Sequence, residues 1–92
     1  MNWQVIYNRK LFKKQHLPKT VAAAAELLIA EIEKCGPVRG NWQNYSKLPG
    51  NRHHCHIKKG RPTYVAVWEE IDKNKVKLVE IIYVGTHEKA PY

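Results

Sequence analysis

Histidine and lysine alternate in the middle of the chain, where His54, His56 and Lys58 stand two residues apart. In an extended strand, successive side chains point to opposite faces, so these three are expected on one face, with His53 and Cys55 on the other. A polar, cationic row is unusual on a strand unless an anion lies on it, although a merely solvated strand face would look the same. The row is the first candidate surface for anion binding and proton transfer.

Two further side chains with useful chemistry, His87 and Tyr92, follow the last predicted strand. An adjacent strand end can bring His87 near His56, and imidazole, with an ordinary pKa near ~6.5, can act as acid or base at cellular pH. Metal-independent RNA cleavage needs a base for the 2′-OH proton, a cation for the phosphate and an acid for the leaving 5′-oxygen. Histidine, lysine, arginine and tyrosine can supply all three. A lone His87 could also be an ordinary surface residue.

The run from His53 to His56 contains three histidines and a cysteine and could also be a zinc cluster. Strand alternation leaves at most His54 and His56 to share one ion, and no C-x-x-C or H-x-x-x-H spacing occurs. Glycine-rich loops of the nucleotide-binding kinds are missing as well. We therefore expect neither a metal nor another cofactor.

The charge balance favours a polyanionic partner. Sixteen Lys and Arg against eight Asp and Glu give a formal net charge of +8. Solubility alone could account for this surplus, and charge does not separate RNA from DNA, ribosome, membrane surface or an acidic protein. Two cysteines, an N-terminus without an apolar run and no apolar stretch of membrane-spanning length predict a cytoplasmic protein without disulfides.

The length of 92 residues predicts a single domain, 1–92. Alternation over Trp3–Tyr7 predicts an opening strand, and helical spacing over Arg9–His16 predicts a short first helix. A second helix is predicted over Pro18–Cys35, because an apolar stripe recurs every three or four residues and Gly36 with Pro37 ends it.

The second half of the chain predicts strands. Val38–Asn51 lacks periodicity and is predicted to be a loop anchored by its aromatic residues. Three strands from His53, Thr63 and Val76 onward, joined by short turns, predict an antiparallel meander. The expected architecture is α+β, in the order β-α-α-β-β-β, with an antiparallel sheet whose two helices pack on one face and leave the other open.

Five segments together resemble the RelE/ParE toxin superfamily, the toxin halves of bacterial and archaeal toxin–antitoxin pairs, over nearly the full length. The resemblance implies a RelE-like fold and a ribosome-dependent endoribonuclease that cuts mRNA in the A site and so inhibits translation. It also implies a cognate antitoxin that neutralises the toxin. The segments are Trp3–Tyr7, Leu17-Pro18, Gly40–Tyr45, His54–Lys58 and Tyr83–His87.

The ending Gly85-Thr86-His87 is similar to the YafQ branch of this superfamily, in which the matching histidine is catalytic and an aromatic residue near the C-terminus orients the RNA. RelE itself has arginine at the position of His87. The resemblance implies catalytic roles for His56, His87, Lys58 and Tyr92. Their positions on the cationic strand and in the basic turn after it, and not the resemblance, make His54, Lys59 and Arg61 the expected RNA-binding residues.

Two alternatives stay open at this point. ParE-type members of the superfamily poison DNA gyrase on the same fold, and a basic domain of this size could bind RNA without cutting it. ParE-type toxins lack the histidine and basic set described above, which favours the ribonuclease.

Overall fold

The computed structural model describes residues 3–8, 10, 17–73 and 76–92. A mixed sheet and one α-helix make up most of this part of the chain. In chain order the elements are β1 (Gln4–Tyr7), α1 (Lys19–Cys35), β2 (Gln43–Leu48), β3 (Arg52–Lys58), β4 (Tyr64–Lys73), β5 (Val76–Thr86) and a short 3-10 helix (His87–Lys89).

The five described strands form a single sheet in the order β1-β5-β4-β3-β2. The antiparallel meander predicted for β3, β4 and β5 is confirmed. An entirely antiparallel sheet was the wrong prediction, because β1 pairs with β5 in parallel, with Val5 opposite Val79. Parallel partners cannot be joined by a tight hairpin, and α1, β2, β3 and β4 all lie between β1 and β5 along the chain. The alternation within β1 reveals a strand but not the direction of its neighbour.

Helix α1 confirms the second predicted helix almost residue for residue. Its buried side chains include Val21, Ala25, Leu28 and Ile32, which follow the predicted apolar stripe. The helix ends at Gly36, whose φ of 96° suits glycine. No helix in the described ranges is long and apolar enough to cross a membrane.

The described residues contain one α-helix rather than the two predicted. The predicted first helix, Arg9–His16, lies outside the described residues except for Lys10.

The predicted loop Val38–Asn51 is wrong over Gln43–Leu48, which form the edge strand β2. Because β2 pairs with β3 alone and an irregularity interrupts its register, only Tyr45 and Leu48 are partly buried. A strand with this burial leaves no period-two pattern in the sequence.

The hydrophobic core lies between α1 and one face of the sheet. Trp68 is fully buried at its centre, and its indole Nε1 donates to the Pro37 carbonyl at 2.9 Å. Cys55 and Ile57 enter the same core from β3. The helix thus covers one face of β3, and the opposite face carries the alternate residues of that strand.

Candidate functional site

Three imidazoles and a phenol meet on the sheet face opposite α1. We call His54, His56, His87 and Tyr92 the histidine cluster. The ring centroids of His56 and His87 are 5.6 Å apart, and those of His54 and Tyr92 are 4.6 Å apart. His54 lies 6.3 Å from His56, and His87 lies 6.0 Å from Tyr92. The structure thus brings together four of the site residues predicted from the sequence.

Strand alternation in β3 places two of these rings. His53 and Cys55 are fully buried on the helix side, whereas His54 and His56 are partly exposed on the other. The period-two expectation is confirmed for these four residues. It follows that only His54 and His56 of this run can meet a ligand.

The register of the sheet brings the third ring to the second. Val65 of β4 pairs with His56 on one side and with Gly85 of β5 on the other. Because β5 ends one residue after Gly85, the chain turns directly beside His56. The backbone N–H of His87 then donates to the Thr63 carbonyl at 2.8 Å. This bond fixes the point at which His87 leaves the sheet.

Two polar side chains of β2 contact the imidazoles. The Asn44 amide nitrogen lies 3.1 Å from His56 Nδ1, and Ser46 Oγ lies 2.9 Å from His54 Nδ1. Neither Asn44 nor Ser46 was predicted from the sequence, because Val38–Asn51 was expected to be a loop. The Asn-rich composition alone carries no signal that separates them from turn residues.

Burial and neighbouring positive charge both act on the cluster. Burial lowers the pKa of His56, and the charges of His87, His54 and Lys59 lower it further. Burial raises the pKa of the Tyr92 phenol. His56 is therefore held in its neutral form at lower pH than an ordinary histidine, and Tyr92 keeps its proton.

An open pocket of 580 Å³ lies beside the cluster. The turn between β3 and β4 forms one wall, and the 3-10 helix after β5 forms the other. Arg61 is exposed and contributes a cation to this wall, where an anionic ligand could neutralise it. The lining residues are His56, Gly60, Arg61, Pro62, Thr63, His87 and Glu88.

The Lys58 side chain contacts helix α1 instead of the pocket. Its ammonium group donates to Thr20 Oγ1 of α1 at 2.9 Å, and it does not line the pocket. The register shifts between His56 and Lys58, because Val65 and Tyr64 are their successive partners on β4. Two steps along β3 thus match one step along β4, so β3 contains one extra residue here. The extra residue interrupts the alternation from which Lys58 was predicted to lie on the same face as His54 and His56.

The arrangement can bind an anion and move protons. Two imidazoles in edge-to-face contact line a pocket that also holds Arg61, and the Tyr92 ring contacts His54 and His87. Within residues 3–8, 10, 17–73 and 76–92, no group of three or more His, Cys, Asp or Glu side chains has the geometry to hold a metal ion. The histidine cluster has groups that can donate and accept protons beside an anionic ligand.

Sequence comparisons identify no relative: no protein-family model matches the chain, and no curated protein is similar to it in sequence. Among solved structures, the chain is similar to the Escherichia coli toxin RelE in the free state, in a mutant that has alanine in place of two arginines. The two are 19% identical, the match covers 98% of this chain and 88% of the other, and the TM-score is 0.68. The RelE-like α+β fold predicted from the resemblance is thereby confirmed.

Proposed function

We propose that this protein is a RelE-like toxin that cleaves mRNA in the ribosomal A site by metal-independent acid–base catalysis. The observation that carries the proposal is the 5.6 Å separation of the His56 and His87 rings at a pocket that also holds Arg61. Two groups able to exchange protons and a cation beside them supply the proton transfers and charge stabilisation that metal-independent RNA transesterification uses.

In the proposed reaction, a base takes the proton of the ribose 2′-OH and the 2′-oxygen attacks the adjacent phosphorus. The bond from phosphorus to the 5′-oxygen breaks, and an acid gives that oxygen a proton. The products are a 2′,3′-cyclic phosphate and a free 5′-OH. His56 and His87 share the acid and base roles, since both rings reach the pocket.

The cations of the β3–β4 turn stabilise the charge that grows on the phosphate. Arg61 lines the pocket and can form two parallel hydrogen bonds to phosphate oxygens. Lys59 adds positive charge near His56. Lys58 can contribute only after it releases Thr20, so we assign it a smaller share than Arg61.

Two members of the cluster hold the nucleotide instead of exchanging its protons. The Tyr92 ring is 49% exposed and lies against His54, so a base can stack on it. We assign Tyr92 to orienting the scissile nucleotide and His54 to supporting that ring and binding RNA.

The partners follow from the toxin class and from charge. RelE, the structural neighbour, is named a toxin. A net charge of +8 suits association with ribosomal RNA and with an acidic segment of a cognate antitoxin. The proposed setting is the cytoplasm, where translating ribosomes are found.

Primer extension on ribosome-bound mRNA tests the proposal. We expect His56→Ala and His87→Ala each to lower cleavage by roughly 10²–10⁴-fold, the usual worth of general acid–base catalysis. Lys47→Ala, an exposed change on β2 outside the cluster, serves as the matched control and should retain wild-type cleavage. Circular dichroism checks that each variant folds.

Other results would overturn the proposal in distinct ways. Full cleavage by either histidine variant removes that residue from the mechanism. Salt-dependent RNA binding without any cut, even on ribosomes, would indicate a binding module. Inhibition of gyrase supercoiling with intact mRNA would indicate a ParE-like poison.

A further inference from the structure

The edge strand β2 contains a bulge directly opposite the histidines. Gln43 pairs with His56 and Ser46 pairs with His54, so three steps along β2 match two steps along β3. One extra residue is therefore inserted. Asn44 lies in this irregularity and has a φ of 52°, in the left-handed region. Bulges of this kind redirect side chains, and they are frequent beside active sites.

Three consecutive side chains beside the bulge lie on alternate faces of the sheet. Asn44 and Ser46 contact His56 and His54 on the face opposite α1. Tyr45, between them, bonds to His53 on the helix side. Asn44 thus reaches the imidazole that lies at the pocket.

The atoms in contact determine the tautomer of His56. The Asn44 side-chain nitrogen is a donor only, so at 3.1 Å it donates to Nδ1, which must accept. In the neutral imidazole the single proton then lies on Nε2. Nε2 is also the nitrogen that this contact leaves available to a ligand in the pocket.

We propose that Asn44 is a positioning residue for the ribonuclease reaction, which holds the His56 ring in the Nε2–H tautomer and presents that N–H to the RNA. The inference rests on the proposed function. Its consequence is an assignment of roles: an Nε2 that already carries hydrogen cannot take the 2′-OH proton. This refines the sharing of roles proposed above: the 2′-OH proton goes to His87, whose imidazolium then gives a proton to the 5′-oxygen as its bond to phosphorus breaks, and His56 contributes a hydrogen bond through Nε2–H.

The left-handed backbone of Asn44 allows a clean set of variants. Asparagine, aspartate and glycine all tolerate a positive φ. Asn44→Asp keeps the shape of the side chain but replaces the donor by an acceptor. Asn44→Gly removes the contact without straining the backbone. Asn51, with a φ of 61° in the β2–β3 turn and no hydrogen bond to a described histidine, provides the matched control Asn51→Asp.

The experiment measures ring nitrogens and RNA cleavage on the same full-length protein. With histidine labelled by ¹⁵N, two-dimensional spectra correlating ring nitrogens and carbon-bound protons report the tautomer of His56 and its protonation midpoint. We expect the Nε2–H form in the wild type and in Asn51→Asp. Asn44→Asp should shift His56 to Nδ1–H and raise its midpoint, because a carboxylate accepts from the ring and favours its charged form.

Cleavage of ribosome-bound mRNA should fall in both Asn44 variants by about 10–100-fold, the effect known for partners that orient metal-bound histidines. Asn51→Asp should remain at the wild-type rate.

Wild-type His56 in the Nδ1–H form, or a tautomer and midpoint that Asn44→Asp leaves unchanged, would overturn the role of Asn44. The spectra do not depend on catalysis, so they separate this outcome from a second one. If wild-type protein cuts no RNA on ribosomes, the proposed function fails, whatever the tautomer.

Discussion

The two faces of β3 carry histidines that differ in burial and in how many of their ring nitrogens are bonded within the protein. His53, on the helix side, is fully buried and bonded at both ring nitrogens. Nδ1 lies 2.6 Å from the Tyr45 hydroxyl, and Nε2 donates to the Glu70 carboxylate at 2.7 Å. His56, on the other side, is bonded at Nδ1 by Asn44 and leaves Nε2 to the pocket. His56 is therefore a candidate for catalysis because its Nε2 remains available to a ligand. His53 is a structural residue because both of its ring nitrogens are bonded within the protein.

On the buried face of β3, three aromatic rings form a continuous stack. The His53 ring lies 5.8 Å from both Tyr45 and Trp68, and it is nearly parallel to the indole, with 5° between the planes. Burial, and next the charge of Glu70, raise the pKa of Tyr45, so its phenol keeps its proton. The network joins the edge strand β2 to β3 and β4. It therefore stabilises the strand on which Asn44 and Ser46 stand.

Replacing the buried histidine should affect stability more than chemistry. We expect His53→Ala to lower the free energy of unfolding by about 3 kcal/mol, because it opens a cavity and leaves Tyr45 and Glu70 without their common partner. Urea denaturation measures this loss. His56→Ala is the matched variant and should unfold close to the wild type. If the two variants lost equal stability, the distinction between the faces would be wrong.

The exposed ring at the end of the chain should affect binding to RNA. Tyr92→Ala should lower cleavage about 10-fold or more, in line with the ~1–3 kcal/mol that base stacking on an aromatic ring contributes. Tyr92→Phe retains the ring and should keep most of the activity. Single-turnover cleavage at several protein concentrations measures both. A phenylalanine variant as weak as alanine would instead assign the role to the hydroxyl.

The two cations predicted to contact phosphate should differ, because the structure places them differently. Arg61 lines the pocket, whereas Lys58 donates to Thr20. We expect Arg61→Ala to weaken cleavage about 10-fold, since a charge-assisted contact is worth ~1.5–3 kcal/mol, and Lys58→Ala to weaken it less. Cleavage rates of both variants at two salt concentrations test the order. A larger loss for Lys58→Ala would show that Lys58 leaves Thr20 when RNA binds.

The sequence predicted this site better where the pattern is regular. Alternation in β3 predicted the faces of His54 and His56, because one face of that strand is packed against a core. The same alternation fails two residues later, at Lys58, where an inserted residue in β3 changes the register against β4. Asn44 was out of reach for the same reason, since a bulge in an edge strand has no hydrophobic signature.

Long-range pairing was the other limit. The proximity of His87 to His56 was anticipated from adjacent strand ends, and the register of β4 against both neighbours accounts for it. The parallel pairing of β1 could not be foreseen, because Val5 and Val79 belong to strands whose sequences carry no mark of their partner.

The lowered pKa of His56 should make a small contribution to the pH dependence of stability. Burial and the neighbouring charges of His87, His54 and Lys59 lower the pKa of His56 in the folded state, so the unfolded chain takes up a proton there at higher pH than the folded one. Above the ordinary histidine pKa of ~6.5, the His56 ring is neutral in both the folded and the unfolded state, so its pKa shift has no effect on stability. As pH falls below that value toward the lowered pKa, the unfolded state gains protons first and stability declines.

His56→Gln should therefore make the decline in the urea midpoint shallower over this range, by a small amount because the ring is partly exposed. A decline as steep as in the wild type would place the acid sensitivity in other groups and remove the pKa shift from the account of His56.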